Sequence, residues 1–439
     1  MKRLILAVSM LALSLSGVRA VALTIEITKG ADGGIPIAVV PFKWQGQSAL
    51  PVEVGDIIAA DLYRSGQFNP LPVDDFLSRP SDESEVKYKD WRLIKAVNLV
   101  VGRVTQMGTD RYAVRFQLFD IFREQQLTGF RWEVIGSDLR KIAHQISDKV
   151  YEALTGRPGA FDSRIAYVTL LRTASKGSEY QLMVADADGY NPKQIVLSAK
   201  PILSPAWRAD GARLAYVAFD VDDTEQVKVH RSKIFVQNVD TGNRRILAEF
   251  RGINGAPAWS PDGKHMAMTL SRDGNPEIYV MHIASGSLRR LTNHSSIDTE
   301  AAWSPDGRHL VFTSDRAGRP QIYRISAAGG RAERLTFEGK ENARASYDRA
   351  GKHLTLVTNH GNGDQIGVFS LSKGSLEILT DGRFDESPTF APNGAMILYA
   401  TQRGGIGLLS AVSADGRVRQ VLRSESGTVR EPAWSSLNR

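Results

Sequence analysis

An aromatic residue returns at a nearly fixed interval through the last half of the chain, and that interval restricts the fold more than any other feature. Trp207, Trp259, Trp303, Tyr347, Phe390 and Trp434 are separated by 52, 44, 44, 43 and 44 residues. They stand in versions of one phrase: "SPAWRADG" at 204–211, "APAWSPDG" at 256–263, "EAAWSPDG" at 300–307, "RASYDRAG" at 344–351, "SPTFAPNG" at 387–394 and a final "EPAWS" at 431–435. After each complete phrase comes an alternating apolar run such as "HMAMTLS" or "HLVFTSD", then a second such as "EIYVMHI" or "QIYRISA", then "RRLTN" or "ERLTF". A period in the low forties made of short alternating strands is the sequence form of a four-stranded β-propeller blade.

The unmatched ends set the number of blades. Nothing follows the last phrase, whereas "SRIAYVTL" at 163–170 and "EYQLMVADADG" at 179–189 have no phrase before them. Joining these fragments gives a six-bladed propeller closed by the C-terminal strand, which leaves no open sheet edge at the seam. Asp-Gly at 210–211, 262–263 and 306–307 and Asn-Gly at 393–394 are expected to supply positive φ in two-residue hairpin turns. The tryptophans are expected to fill the space between successive blades.

The other end of the chain carries an address. Residues 1–20 combine Lys2 and Arg3 with an apolar stretch from Leu4 to Leu15 and small residues at Val18 and Ala20, the pattern of a secretory signal. That stretch is too short to span a bilayer, and no later one is long and apolar enough, so the mature chain is expected to be soluble and exported, without membrane insertion. Loss of the signal lowers the formal charge from +7 to +4, with both signs scattered and no dense basic run. Nucleic acid is therefore a poor partner. The chain has no cysteine, which rules out disulfides, thiolate metal sites and cysteine nucleophiles.

Residues 35–158 read as a small α/β domain ahead of the propeller at 159–439. "IPIAVVPF" at 35–42 looks like a buried strand, and "GDIIAADLYRSG" at 55–66 has helical periodicity. Three strands follow within 98–108, 111–122 and 126–134. A helix is expected over 137–156, capped by Ser137, ended by Gly156, and apolar on the face of Leu139, Ile142, Ile146, Val150 and Leu154. Residues 21–34 alternate and then become glycine-rich, so they can form a first strand of their own domain or a mobile arm that adds a strand to a partner.

Catalytic signatures are missing. The chain has no GxSxG, HExxH, GxGxxG or Walker motif. His265, His309 and His353 repeat after the blade turns and read as hairpin residues, and "DADGYN" at 186–191 lacks the ligand order of a calcium loop. No cofactor or metal is expected. A hydrolase or lactonase working through carboxylates at the channel mouth, or a carbohydrate-binding propeller, is the alternative from another functional class. In either case the residues opening each inner strand should line the mouth: Ser204, Asn254 to Ala256, Asp298 to Glu300, Asn342 and Arg344, Asp385 and Glu386, and Arg430 and Glu431. Glu300, Glu386 and Glu431 read as matched repeat positions that bind directly or cap neighbouring N–H groups.

The signal, "IPIAVVPFKWQG" at 35–46, the small α/β domain and the blades "NGAPAWSPDG", "NPEIYVMHIASG", "TSDRAGRPQIY", "DESPTFAPNG" and "EPAWS" together resemble the TolB family of the Tol-Pal system of Gram-negative bacteria. The resemblance implies a non-enzymatic adaptor of the periplasm that binds the lipoprotein Pal in the propeller mouth and the inner-membrane protein TolA through its mature N-terminus. Such an adaptor supports outer-membrane integrity and constriction at cell division, with other envelope proteins as further partners. Carried over by motif, the Pal-facing surface comprises Ile253, Asn254, Gly255, Ala256, Asp298, Thr299 and Glu300, joined by Arg344, Glu386 and Glu431. The TolA-binding residues are Val21, Ala22, Leu23, Thr24, Ile25, Glu26 and Ile27. Enteric members of the family carry histidine at the position of Ile253 and proline at that of Ala301, which implies a differently tuned contact here.

Overall fold

The computed structural model describes residues 23–29, 33–47, 49–173, 177–222, 229–424 and 427–437. The expected signal at 1–20, with Val21 and Ala22, lies outside them.

The first strand, β1 (Leu23–Lys29), stands apart from its neighbours in sequence. The α/β domain runs β2 (Ile35–Val39), β3 (Lys43–Gln45), α1 (Val54–Arg64), β4 (Phe68–Pro70), α2 (Tyr88–Leu93), β5 (Asn98–Gln106), β6 (Arg111–Asp120), β7 (Gln125–Ile135) and α3 (Leu139–Thr155). Its sheet has the order β4-β2-β5-β6-β7 with β3 beside β5. β2 is parallel to both neighbours, whereas β5, β6 and β7 form the expected antiparallel meander.

Helix formation here follows from apolar spacing. Val54, Ile58 and Leu62 recur every four residues on α1, and Leu139, Ile142, Ile146 and Val150 share one face of α3. Both faces bury against Val100, Val104, Val114, Phe116 and Leu118 of the sheet. The opposite sheet face packs Leu99, Val101 and Phe119 around Trp91 of α2. Gly156 ends α3 in the left-handed conformation, with φ 71° and its N–H bonded to Glu152 O at 2.9 Å, as expected. The start of α3 differs from expectation. Residues Gly136–Asp138 make a 3₁₀ turn, the N-cap is Asp138, and no side chain caps the helix.

The described residues of the second domain form six four-stranded antiparallel blades. We number them by their inner strands: Thr428–Trp434 in blade 1, Ile202–Trp207 in blade 2, Asn254–Trp259 in blade 3, Asp298–Trp303 in blade 4, Glu341–Tyr347 in blade 5 and Glu386–Phe390 in blade 6. The closure read from the sequence is present, because the C-terminal strand pairs with Arg164–Thr173, Val429 opposite Thr169 and Trp434 opposite Ile165. The tryptophans both pack and bond between blades. The indole N–H of Trp207 donates to Ala433 O (3.1 Å), Trp259 to Ala206 O (3.2 Å) and Trp303 to Ala258 O (3.1 Å), each acceptor lying on the preceding inner strand.

The Asp-Gly turns are longer than two residues. Ser260 N–H bonds His265 O at 2.9 Å, and inside that pair Gly263 N–H bonds Ser260 O at 2.8 Å. The glycine does take positive φ, 65°. What lengthens the loop is the side chain of Asp262, which accepts from Lys264 N–H (2.9 Å) and from Ser260 Oγ (2.5 Å) and so favours a wider turn.

β1 joins the ring and not its own domain. It pairs antiparallel with Arg419–Ser424, making a fifth strand on blade 6. Leu23 is buried in the seam between blades 6 and 1 with Met183, Ala185, Leu409 and Leu422.

Candidate functional site

Each inner strand opens with the same backbone irregularity. The pairing register slips at Leu203/Ala206, Gly255/Ala258, Thr299/Ala302, Ala343/Ser346, Glu386/Thr389 and Arg430/Ala433. At each slip one non-glycine residue adopts the left-handed region: Ser204 (φ 50°), Ala256 (44°), Glu300 (56°), Arg344 (55°), Ser387 (54°) and Glu431 (52°). Such residues are uncommon and strained, and they gather where a fold aims side chains at a ligand. All six line one cavity of about 250 Å³ at the end of the channel where the inner strands begin.

Charge crosses this mouth. Arg344 reaches from blade 5 to Glu300 of blade 4 (2.9 Å) and Glu431 of blade 1 (3.2 Å), and it also bonds Ser387 Oγ of blade 6. Glu431 additionally accepts from Ser204 N–H (3.2 Å), the capping role read from the sequence, and Glu300 accepts from Thr313 Oγ1 (3.0 Å). Burial opposes the Arg344 charge, yet Glu431, Glu300 and Glu386 outweigh it and raise the guanidinium above its usual range. Burial, then the Glu431 charge, pushes the Glu386 carboxyl up.

The mouth residues expected from the sequence separate into two kinds. Gly255, Ala256, Thr299, Glu300, Arg344, Glu386 and Glu431 retain accessible surface, and Ile253 is 49% exposed. Asn254 and Asp298, expected at the mouth surface, are fully buried and bond within the protein. Asn254 ties its loop to Phe250 N–H (2.8 Å) and Phe250 O (2.7 Å), while Asp298 pairs with Arg316 at 2.5 Å. Asn342 and Asp385 are buried at the equivalent place and bond Glu338 O and Thr401 Oγ1. Glu386 is also out of register. Ser387, not Glu386, is the counterpart of Glu300 and Glu431, because Glu386 opposes Ala400 as Thr299 opposes Thr313.

The loops above the ring carry exposed apolar side chains that the sequence reading missed. Ile297 (47%), Phe337 (71%) and Phe384 (62%) join Ile253 on connections from an outer strand to the next inner strand. The available signal was an apolar residue inside an otherwise polar loop, as in "SSIDTE", "TFEGKE" and "GRFDES". The opposite end of the channel is lined by the turn prolines Pro261, Pro305 and Pro392 with Trp303, Tyr347 and Trp434. His265 and His353 sit at hairpins, His353 beside Asp348 (3.0 Å), as their repetition implied.

A second polar centre joins the domains. His144 of α3, 3% exposed, places Nδ1 2.7 Å from Asp61 Oδ2 of α1 and Nε2 3.8 Å from Asp188 Oδ2 in the blade 1 loop. Arg64 bonds Asp61 (2.6 Å) and stands 3.6 Å from Asp188, and Arg140 pairs with Asp188. Asp61, His144 and Asp188 bring ligand-type atoms within 4.8 Å of one another, but Asp61 and Asp188 are already paired with Arg64 and Arg140. The cluster is an interdomain clamp, and nothing in the sequence singled out His144.

Comparison with known proteins accounts for both domains. Residues 23–127 match the TolB amino-terminal domain family and residues 151–438 the TolB beta propeller domain family. The chain is 56% identical over 413 residues to a Tol-Pal system protein TolB of Nitrosococcus oceani, covering 94% of this chain and 93% of that one. Identity to the corresponding Xanthomonas campestris protein is 47%, with 94% and 92% covered. The crystal structure of TolB from Acinetobacter baumannii superposes with a TM-score of 0.84 at 41% identity, covering 94% of this chain and all of that one. Two-domain architecture, ring closure and these full-length matches agree: the chain belongs to the TolB family of Tol-Pal system proteins.

Proposed function

We propose that the protein is a non-enzymatic periplasmic adaptor that seats Pal in the propeller mouth and offers β1 to TolA, supporting outer-membrane integrity and constriction. The observation that carries the reading is the combination of six left-handed residues facing one mouth with exposed Ile253, Ile297, Phe337 and Phe384 around it. An apolar rim around fixed polar groups suits a folded protein partner. Ile253, Gly255, Ala256, Thr299, Glu300, Arg344, Glu386 and Glu431 form its contact surface. A hydrolase or lactonase would need a pair of carboxylates free of a fixed counter-ion, whereas two of the three mouth glutamates, Glu300 and Glu431, are held by Arg344.

β1 supports the second half of the proposal. It is an extra strand on a blade that is complete without it, joined to the α/β domain through a glycine-containing connection. Leu23, Thr24, Ile25, Glu26 and Ile27, with Val21 and Ala22 outside the described residues, form the TolA-binding arm, which leaves blade 6 to add a strand to its partner. The arm folds back on the protein when Pal is bound and is released otherwise, so each partner alters the affinity for the other.

Isothermal titration of residues 21–439 with the soluble domain of Pal tests the first half. Saturable 1:1 binding is expected, and its absence with folded protein would overturn the mouth assignment. TolA affinity that is equal with and without saturating Pal would remove the coupling.

A further inference from the structure

We infer that His144 is the positioning residue through which the α/β domain holds β1 on blade 6, and that loss of its proton loosens the arm as pH rises. The inference rests on β1 being the partner-binding arm and adds the control that acts on it. Two contacts lead from the clamp to β1. Asp188, which faces His144 Nε2, is followed by Gly189, whose backbone lies so close to Leu23 that an added Cβ would sit 2.6 Å from the Leu23 Cβ. Arg64, bonded to Asp61, accepts through its carbonyl from Gln420 Nε2, and Gln420 is paired with Ile27.

The charge balance explains why the proton matters. His144 is faced by Asp61 and Arg64 from α1, by Asp186 and Asp188 from the blade 1 loop, and shares α3 with Arg140. Three carboxylates against two guanidiniums leave the clamp one positive charge short, which imidazolium supplies. Both ring nitrogens are then donors, one toward Asp61 and one toward Asp188. When the ring is neutral and Nδ1–H stays on Asp61, the buried Nε2, which has no hydrogen-bond partner among the described residues, turns a lone pair toward the Asp188 carboxylate. Two acceptors then face each other, and the loop carrying Gly189 is repelled.

Burial lowers the tendency of His144 to charge, but Asp61 outweighs it, so its pKa is raised above 6.5. A raised histidine contributes stability that is complete below 6.5 and is lost as pH rises through the folded value. Asp148, one turn along α3, is pushed up to about 7 chiefly by burial, and burial also raises Asp186. These two share the sign, so a variant must isolate the histidine.

The test is hydrogen exchange of β1 amides in the mature protein alone, corrected for intrinsic rates and referenced to the strand His309–Ser314, from pH 6 to pH 8.5. Relative protection of β1 is expected to fall roughly three- to tenfold in wild type. The slope should shrink in His144→Gln to the part that Asp148 and Asp186 leave, and Asp188→Asn should shrink it as well. A flat wild-type profile, or one shared by wild type and His144→Gln, overturns the inference; should the glutamine variant not fold, a wild-type slope in Asp188→Asn overturns it. No partner enters the measurement, so failure of TolA to bind would sink the arm reading separately.

Discussion

At the scale of single residues, Arg344 is the keystone of the mouth, because one guanidinium holds carboxylates from two other blades. Its removal leaves Glu300 and Glu431 facing each other in a half-buried cavity. Arg344→Ala is expected to cost about 1–3 kcal/mol of unfolding free energy, measured by urea titration, because an ion pair loses one member. Lysine should restore only part of this, since it lacks the fork that reaches Glu300, Ser387 and Glu431 together. Trp259→Phe keeps the ring but loses the bond to Ala206 O, for about 1 kcal/mol. Asp148 supplies a pH effect. The folded state keeps a proton up to about 7 that the unfolded chain releases near 3.8, so its contribution falls as pH rises through that interval. The urea midpoint should therefore drop between pH 5 and pH 7, and Asp148→Asn should flatten that drop. The left-handed ring itself was not legible, since Ser, Ala, Glu and Arg carry no local signal for positive φ. Their conformation comes from the bulge that each blade imposes.

Among the elements, the repeated blades and the main helices and strands of the α/β domain were legible, and the partner of β1 was not. Blade strands announced themselves six times, so their number, order and closure could be read from alternation and spacing alone. The place of Glu386 was misjudged although the spacing shows it: Ser387, and not Glu386, stands as far before Phe390 as Glu300 does before Trp303, and the pairing of Glu386 with Ala400 agrees. β1 showed its strand character but not its partner, because the matching edge, Arg419–Ser424, lies about four hundred residues away. The packing of Gly189 on Leu23 gives an element-scale test. Gly189 has φ 82°, and a methyl group there would collide with Leu23. Gly189→Ala is expected to release β1, seen as faster proteolysis near residues 23–29, while the urea midpoint of the ring shifts little.

For the whole molecule, the ring is closed by pairing between the two ends of the propeller domain, so its cooperativity depends on the last strand. Deleting residues 428–439 would expose the edge of Arg164–Thr173 and remove Glu431 from the mouth together. That truncation should aggregate or unfold in a broad, non-cooperative transition, whereas deleting residues 21–29 should leave a cooperative one. The two domains meet on the hairpin side of the ring, where Asn393 bonds Pro158 O, leaving the mouth at the opposite end uncovered by the α/β domain. Sequence periodicity could not reveal this arrangement, because the clamp uses a single histidine, two arginines and a blade loop that occur once each.

In the proposed function the partner sits at the mouth where the inner strands begin. A photo-crosslinker at Ile253 on the rim, compared with one at Arg349 on the opposite opening, tests it most directly. With the soluble domain of Pal present, adducts are expected from position 253 and none from 349. Adducts from 349 alone, or equal yields from both positions, would contradict the account.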